Sequence, residues 1–581
     1  MSQYNWPHAG RRRFLQGLAL GAASISLGWN AARAAARPGI LQGTDFDLRI
    51  GAVPVNITGR ERTAIVVNDS LPAPVLRWRE GDTVTLRVTN TLDEPTSIHW
   101  HGLLVPATMD GVPGLSFPGI APGETFTYRF PVRQSGTYWY HSHSGVQEQL
   151  GLYGALVIEP RGAKPAIADR EHVVILSDWT DENPYRVFFN LKKQSDYYNF
   201  HQRTVADFFR DVRRSGLGTT LADRRLWAGM RMNPTDLADV SGYTYTYLMN
   251  GEAPTGNWTG LFRPGERVLL RFINAGMMTL FDVRVPGLKM TIVAADGQAI
   301  EPVTVDEFRM GNGECYDVLV TPEGDQAYTI FAQSLDRTGF ARGTLAPQMG
   351  MSAAVPVPDP RVVLTMADMG HGESVHDMAG HEGHAMAAAG DAAPALHHAA
   401  TEFGPGVDMR ATNPSSRLDD PGIGLRDNGR RVLTYADLGS PGPDPDGREP
   451  LRTIELHLTG NMERYTWSFN GQTMSEAGPI RLTLGERVRF VLVNDTMMDH
   501  PIHLHGMWSD LEDEEGRFKV RKHTVIVQAG HRLSYRVTAD APGAWAYHCH
   551  LLLHMASGMF RTVIVAAAAP DGSPSPEHDH G

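Results

Sequence analysis

Three segments of this chain follow one template. Gly81-Asp82-Thr83-Val84-Thr85-Leu86-Arg87-Val88-Thr89-Asn90, Gly265-Glu266-Arg267-Val268-Leu269-Leu270-Arg271-Phe272-Ile273-Asn274 and Gly485-Glu486-Arg487-Val488-Arg489-Phe490-Val491-Leu492-Val493-Asn494 each read as a turn, an alternating strand and a closing asparagine. They recur after 184 and then 220 residues, so the chain holds three large repeats with extra sequence ahead of the third. A length of 581 residues is enough for about three domains, each with its own core. Few helical periodicities compete with the strands. The expected fold class is therefore all-β, built from three β-sandwich domains with Greek-key connections.

Counting onward from each asparagine separates the repeats. Nine and eleven residues after Asn90 stand His99 and His101, and the same offsets after Asn494 reach His503 and His505. After Asn274 they reach Val283 and Val285. Tyr140-His141-Ser142-His143 likewise matches Tyr547-His548-Cys549-His550, whereas the middle repeat carries no histidine between Tyr328 and Gln333. The first and third repeats are expected to face each other across a metal site, with the middle one as a scaffold.

The residue types specify the chemistry. In an extended strand His548 and His550 project to one side and Cys549 to the other, so one strand serves two sites. Cys549 and His554 as equatorial ligands with Met559 as a weak axial thioether are the set of a blue-copper electron-transfer centre. The i, i+2 pairs His99/His101, His141/His143, His503/His505 and His548/His550 supply eight imidazoles. Eight neutral nitrogens suit three coppers, two with three ligands and one with two, leaving open positions for oxygen. His500 is left over and completes the blue site. A lone buried histidine is more often a hydrogen-bonded core residue, but here twelve ligand positions are filled together. Structural zinc, the competing metal, uses four ligands at compact spacings instead of pairs divided between distant repeats.

In these four motifs and their order the chain resembles the multicopper oxidases, over nearly its whole length. The resemblance implies cupredoxin-like domains and four copper ions as cofactors. His500, Cys549, His554 and Met559 match the type 1 ligands, and His99 and His503 the type 2 ligands. His101, His141 and His550 match one type 3 copper; His143, His505 and His548 match the other. It also implies one-electron oxidation of a reductant and four-electron reduction of O2 to water. The protons need a carboxylate donor. Asp110 matches the family's acidic position and also suits a turn before Gly111; Glu148 comes soon after the second histidine pair. The stretch between His550 and His554, where several relatives have an acid, reads Leu551-Leu552-Leu553. Asp110 and Glu148 are the remaining catalytic candidates.

The rest of the chain bears on location and reductant. A net charge of −12 excludes a nucleic-acid partner on electrostatic grounds and favours cations. Arg11-Arg12-Arg13-Phe14-Leu15 and the apolar run behind it resemble a twin-arginine export signal over residues 1–36, too short to leave a transmembrane segment in a mature periplasmic protein. Domains are expected at 44–165, 166–363 without copper ligands, and 432–567 with the type 1 site, followed by a C-terminal tail over 568–581. Between them, 364–431 reads as an exposed, largely disordered Met/His-rich insert, whose core from Met366 to Met386 holds Met369, His371, His376, Met378, His381 and His384. Thioether sulfur prefers Cu(I). Signal, insert and Asp495-Thr496-Met497-Met498-Asp499-His500-Pro501 together resemble the periplasmic copper-resistance protein A family. This implies Cu(I) and O2 as substrates and periplasmic copper carriers as partners, with a laccase-like phenol oxidase or a copper-sequestering protein as alternatives. Met497 and Met498 stand ready either to touch the incoming ion or to pack. Cys315, with no cysteine to pair with, reads as a small buried hydrophobe.

Overall fold

In the computed structural model, residues 38–162, 167–371 and 396–567 are described. The expected signal over 1–36, the tail over 568–581 and the stretch 372–395 of the Met/His insert lie outside them. The described chain is mostly strand, arranged as six sheets in three face-to-face pairs.

The three template segments become Thr83–Asn90, Val268–Asn274 and Arg487–Asn494, and they hold one topological position. Each pairs in parallel with the first long strand of its sandwich: Asp45–Asn56, Arg170–Thr180 and Arg452–Asn461 respectively. Each pairs antiparallel on its other side, with Thr125–Pro131, Cys315–Val320 and Arg532–Thr538. Thr83–Asn90 alternates buried and part-buried residues, as a strand with one face on the core should. Cys315 is buried in the expected strand.

The closing asparagine has a physical reason. Asn90 donates from Nδ2 to the carbonyls of Glu94 and Ile120 and accepts the amide of Leu92. Asn274 does the same with Thr279, Met310 and Gly276. Asn494 repeats it with Met498, Val527 and Thr496. One side chain thus closes the loop that turns each chain from one sheet into the other. In the first and third sandwiches that turn delivers the histidine strands His99–His101 and His500–Leu504. In the middle sandwich it delivers Phe281–Arg284, which puts Val283 opposite Ala332.

Three features depart from the sequence reading. Three helices, Pro184–Lys193, Val205–Ser215 and Leu217–Gly229, sit between the first two long strands of the middle sandwich. Their signals are local: Asn183 caps the first ahead of Pro184, and Thr204 with Asp207 forms a capping box on the second. The strand that carries His548 and Cys549 stops short of His550. Gly543–Cys549 ends at the cysteine, and a helical turn, Leu552–Ala556, carries His554 back. Most changed is the expected exposed linker up to Arg431. Residues 396–431 form a strap whose Ala411 and Leu425 are buried, and the first strand of the third sandwich begins only at Arg452. The strap's polarity, a reason on composition not to pack, is used in packing. Arg430 pairs with Glu307 and Asp359, and Arg426 with Asp420 and Asp368.

Asn494 and Asn274 make equivalent buried bonds, but only Asn494 precedes a histidine strand. Replacing either with alanine should cost about 2–4 kcal/mol, three hydrogen bonds with their partners left buried. Thermal unfolding should show comparable losses for both variants, with copper retention impaired in Asn494→Ala alone.

Candidate metal centres

Two antiparallel pairings bring the histidines together. His99 lies opposite His141 in the first sandwich, and His503 opposite His548 in the third. The two sandwiches meet with these edges facing. His99 stacks on His505, and His101 on His503, each with ring centroids 3.9 Å apart. His143 Nε2 lies 3.4 Å from His548 Nε2, which is 3.1 Å from His505 Nε2. His550 closes the group, its ring centroid 4.8 Å from that of His101 and 5.2 Å from that of His141.

The orientation of each ring is fixed from behind. His99 Nδ1 donates to the Asp110 carbonyl, His503 Nδ1 to the His523 carbonyl and His548 Nδ1 to the Cys549 carbonyl. His505 Nδ1 donates to Asp110 Oδ2 at 2.9 Å, and His141 Nδ1 donates to the Ser142 carbonyl at 3.0 Å with Glu148 Oε2 2.8 Å away. His101 is held the other way round, through Nε2 against Thr524 Oγ1. The opposite nitrogens of His99, His101, His141 and His503, and both of His550, are buried without a partner. An unpartnered buried nitrogen is costly unless something binds there. Burial also pushes the imidazoles of His101, His141, His143, His503, His505 and His550 well below the usual histidine range, and that of His548 to about 3. They are held in the neutral form that ligates a metal.

A second group lies on the other face of the same strand. Cys549 Sγ is 3.5 Å from His500 Nδ1 and 3.8 Å from His554 Nδ1, and the two nitrogens are 3.1 Å apart. Here Nε2 does the holding: Thr496 Oγ1 bonds that of His500 at 2.7 Å, and Asp239 Oδ2 accepts from that of His554 at 2.7 Å. Met559 is buried beside them, its carbonyl accepting the Cys549 amide. Burial pushes the Cys549 thiol far up, so a thiolate there requires a cation against it. Met497 and Met498 are both buried, and Met498 lines a small cavity with Asp239.

Asp110 and Glu148, the candidate proton donors from sequence, therefore both touch ring nitrogens of the first group and are themselves buried. Burial, with the nearby Asp178 adding to it, pushes Glu148 well above the usual carboxylate range. Four neighbours escape the sequence reading. Thr496 looks like an ordinary loop residue and Thr524 like an ordinary strand residue, and Asp239 lies in a different sandwich 315 residues from His554. His523, whose ring centroid is 4.8 Å from that of His101, has no i+2 partner to mark it.

Cysteine with imidazoles in one group, and only imidazoles in the other, is a donor set for copper. Sequence models described as "Multicopper oxidase" match residues 49–163, 170–351 and 448–569. The chain is 61% identical to copper resistance protein A of Escherichia coli, over 96% of this chain and 99% of that one. The chain belongs to the multicopper oxidase family. It is also 57% identical to copper resistance protein A of Pseudomonas syringae pv. tomato, again over 96% and 99%. Among solved structures, Fet3p, a multicopper oxidase that functions in iron import, shares the fold with a TM-score of 0.61 at 20% identity, over 93% of this chain and 94% of that one. As a multicopper oxidase the chain is an oxidoreductase with copper cofactors, and its all-β fold of three cupredoxin-like sandwiches is that of the family.

Outer partners of metal-binding histidines typically matter by about 10–100-fold in metal affinity. Asp110→Ala removes the acceptor of His505 Nδ1 and should weaken copper retention by about that factor. Dialysis against a graded chelator, with far-ultraviolet circular dichroism to verify the fold, checks this.

Proposed function

We propose that this multicopper oxidase is a periplasmic enzyme of copper resistance that oxidises Cu(I) to Cu(II). Four Cu(I), one O2 and four protons give four Cu(II) and two waters. His500, Cys549, His554 and Met559 would hold a type 1 copper; His99 and His503 a type 2 copper. His101, His141 and His550 would hold one type 3 copper, and His143, His505 and His548 the other, making four in all. When bound, these coppers supply one-electron acceptance on the cysteine side and O2 reduction on the all-histidine side. Export by the twin-arginine route is supported by Arg11-Arg12-Arg13-Phe14-Leu15 and the apolar run behind it.

The observation that carries this reading is the position of Cys549. Its side chain belongs to one group, while its peptide neighbours His548 and His550 belong to the other. No shorter covalent route between two such groups exists than adjacent residues. Asp110 and Glu148 are proposed as the groups that hold protons beside the all-histidine side. Each has one oxygen within 2.9 Å of a ring nitrogen and its other oxygen buried without a hydrogen bond, that of Asp110 lying 3.3 Å from His99 Nδ1.

Cu(I) as the reductant is favoured by what lies behind His554. Asp239 accepts the His554 Nε2 proton, and the nearby Asp236 is buried with Oδ1 unpartnered. Asp236 lines a cavity of about 290 Å³ together with Met232 and Met462. Thioether and carboxylate suit a small cation better than an uncharged ring. The cavity's arginines are neutralised: Arg203 by Asp223, Arg224 by Asp211 and Arg231 by Asp408.

Anaerobic Cu(I) addition followed by oxygen should give uptake near one O2 per four Cu(I). Cys549→Ser should abolish both that uptake and the intense visible thiolate-to-copper band, while elemental analysis still finds about three coppers per chain. Asp239→Asn should slow Cu(I) oxidation by about 10-fold or more. Faster turnover of a phenol than of Cu(I) would replace this reading with a laccase-like one. Copper tolerance preserved in cells carrying Cys549→Ser would instead favour sequestration.

A further inference from the structure

A second set of metal-capable side chains converges where the strap crosses the third sandwich. His398 and Glu402 come from the strap, Glu402 from its short helical turn Ala400–Phe403. His457 comes from the strand Arg452–Asn461, and Asp495 from the loop that Asn494 opens. His398 Nδ1 lies 2.6 Å from Glu402 Oε2 and 3.8 Å from Asp495 Oδ2. His457 Nδ1 lies 2.6 Å from Asp495 Oδ2 and 3.6 Å from Glu402 Oε2. The two imidazole centroids are 4.6 Å apart. Four ligands each about 2.1 Å from one ion at tetrahedral angles stand about 3.4 Å apart. The four measured edges bracket that value.

The remaining atoms of these groups are held as outer partners would hold them. The other oxygen of Asp495 accepts the Ala411 amide, and the other oxygen of Glu402 accepts that of Ala399. His457 Nε2 bonds Glu455. Each side chain therefore has one atom anchored, or turned to solvent in the case of His398, and one aimed at a common point.

Charge supplies a separate argument. The side chains of Glu402 and Asp495 are 1% and 0% exposed, and among the described residues neither pairs with a lysine or arginine. Arg410, the guanidinium alongside, bonds the Glu402 carbonyl instead of its carboxylate. Two buried carboxylates with only imidazoles against them are balanced either by extra protons on those rings or by a cation between them. One divalent cation with two neutral imidazoles restores neutrality.

We propose that His398, His457, Glu402 and Asp495 form a binding site for a divalent first-row metal ion that clamps the strap to the third sandwich. No cysteine or methionine contributes, so the site selects an oxidised, borderline cation such as Cu(II) or Zn(II) over Cu(I). Cu(II) binds tighter than Zn(II) at a site of this kind. His398, 18% exposed, is the side from which an ion reaches it. Asp495 stands five residues ahead of His500 in sequence, yet the site shares no ligand with either copper group.

Copper-loaded full-length protein is titrated with Zn(II), and separately with Cu(II), by calorimetry. One additional equivalent should bind in the parent chain and bind at least about 100-fold more weakly in Glu402→Gln, which keeps size and hydrogen bonding but loses the charge. The visible thiolate-to-copper band should be equal in both. His398→Gln, altered at the partly exposed ligand, guards against misfolding of the first variant and should show the same loss. Co(II) in the parent chain should give the intense visible bands of a tetrahedral ion. Equal uptake by parent and variants, or only octahedral Co(II), would overturn the site and leave two imidazolium–carboxylate pairs in its place. None of these readouts uses oxidase turnover, so their failure is distinct from failure of the Cu(I) reading.

Discussion

The asparagine side chain that closes each template strand sets the register of the next strand. Asn90, Asn274 and Asn494 each bond two carbonyls and one amide in a buried turn, and each fixes how the chain passes from one sheet to the other. A strand entering the second sheet one residue out of step would turn its histidines to the opposite face. The i, i+2 spacing is useful only because the turn before it has one length. In the third repeat the same loop also holds Asp495, while Thr496, whose amide bonds Asn494, orients His500 through its hydroxyl.

A second constraint works between sandwiches. Lys522 is fully buried, with Nζ 3.0 Å from both Asp296 and Glu314 of the middle sandwich. Burial alone would push the ammonium down, but the two carboxylates outweigh it and keep it charged. Asp296 Oδ2 also accepts the amides of His523 and Thr524. Those two residues hold rings of the all-histidine group, His523 through its carbonyl on His503 and Thr524 through its hydroxyl on His101. Removing one partner of a buried pair costs about 3–5 kcal/mol, so this contact resists drift. The ring orientations of the first and third sandwiches are thus referred to a charge pair anchored in the second.

The same division explains how much is legible in the sequence. Strand periodicity and the offsets from each asparagine are local, so the three sandwiches and the histidine pairs that converge between them can be read from residue spacing. Leu551-Leu552-Leu553 reads correctly as lacking an acid, yet not as the start of the turn that returns His554. Asp239, Thr524 and Asp296 act across hundreds of residues and belong to no repeat pattern, so only folding brings them to the rings. The strap misleads for a different reason. Glycine, proline and charge in 396–431 describe a chain without a sheet of its own, and composition does not distinguish solvent from a groove lined with opposite charges. Arg426, Arg430, Asp408 and Glu402 all find buried or half-buried partners there.

The middle sandwich carries no histidine pair at the positions where its neighbours do, and a ligand count alone would make it a spacer. Its contacts argue otherwise. It gives Asp239 to His554 and Asp296 to the strand behind His503, and its Gly313 carbonyl accepts the indole N–H of Trp139, which stacks on His141. Gly313 itself leaves room that a side chain would take, since a Cβ there would come within 3.1 Å of both His101 and His550. That edge instead carries groups that orient rings held by the other two. The division is economical in a physical sense. The histidine pairs sit on facing strands of two sandwiches, while part of their orientation is supplied from a third that packs against both.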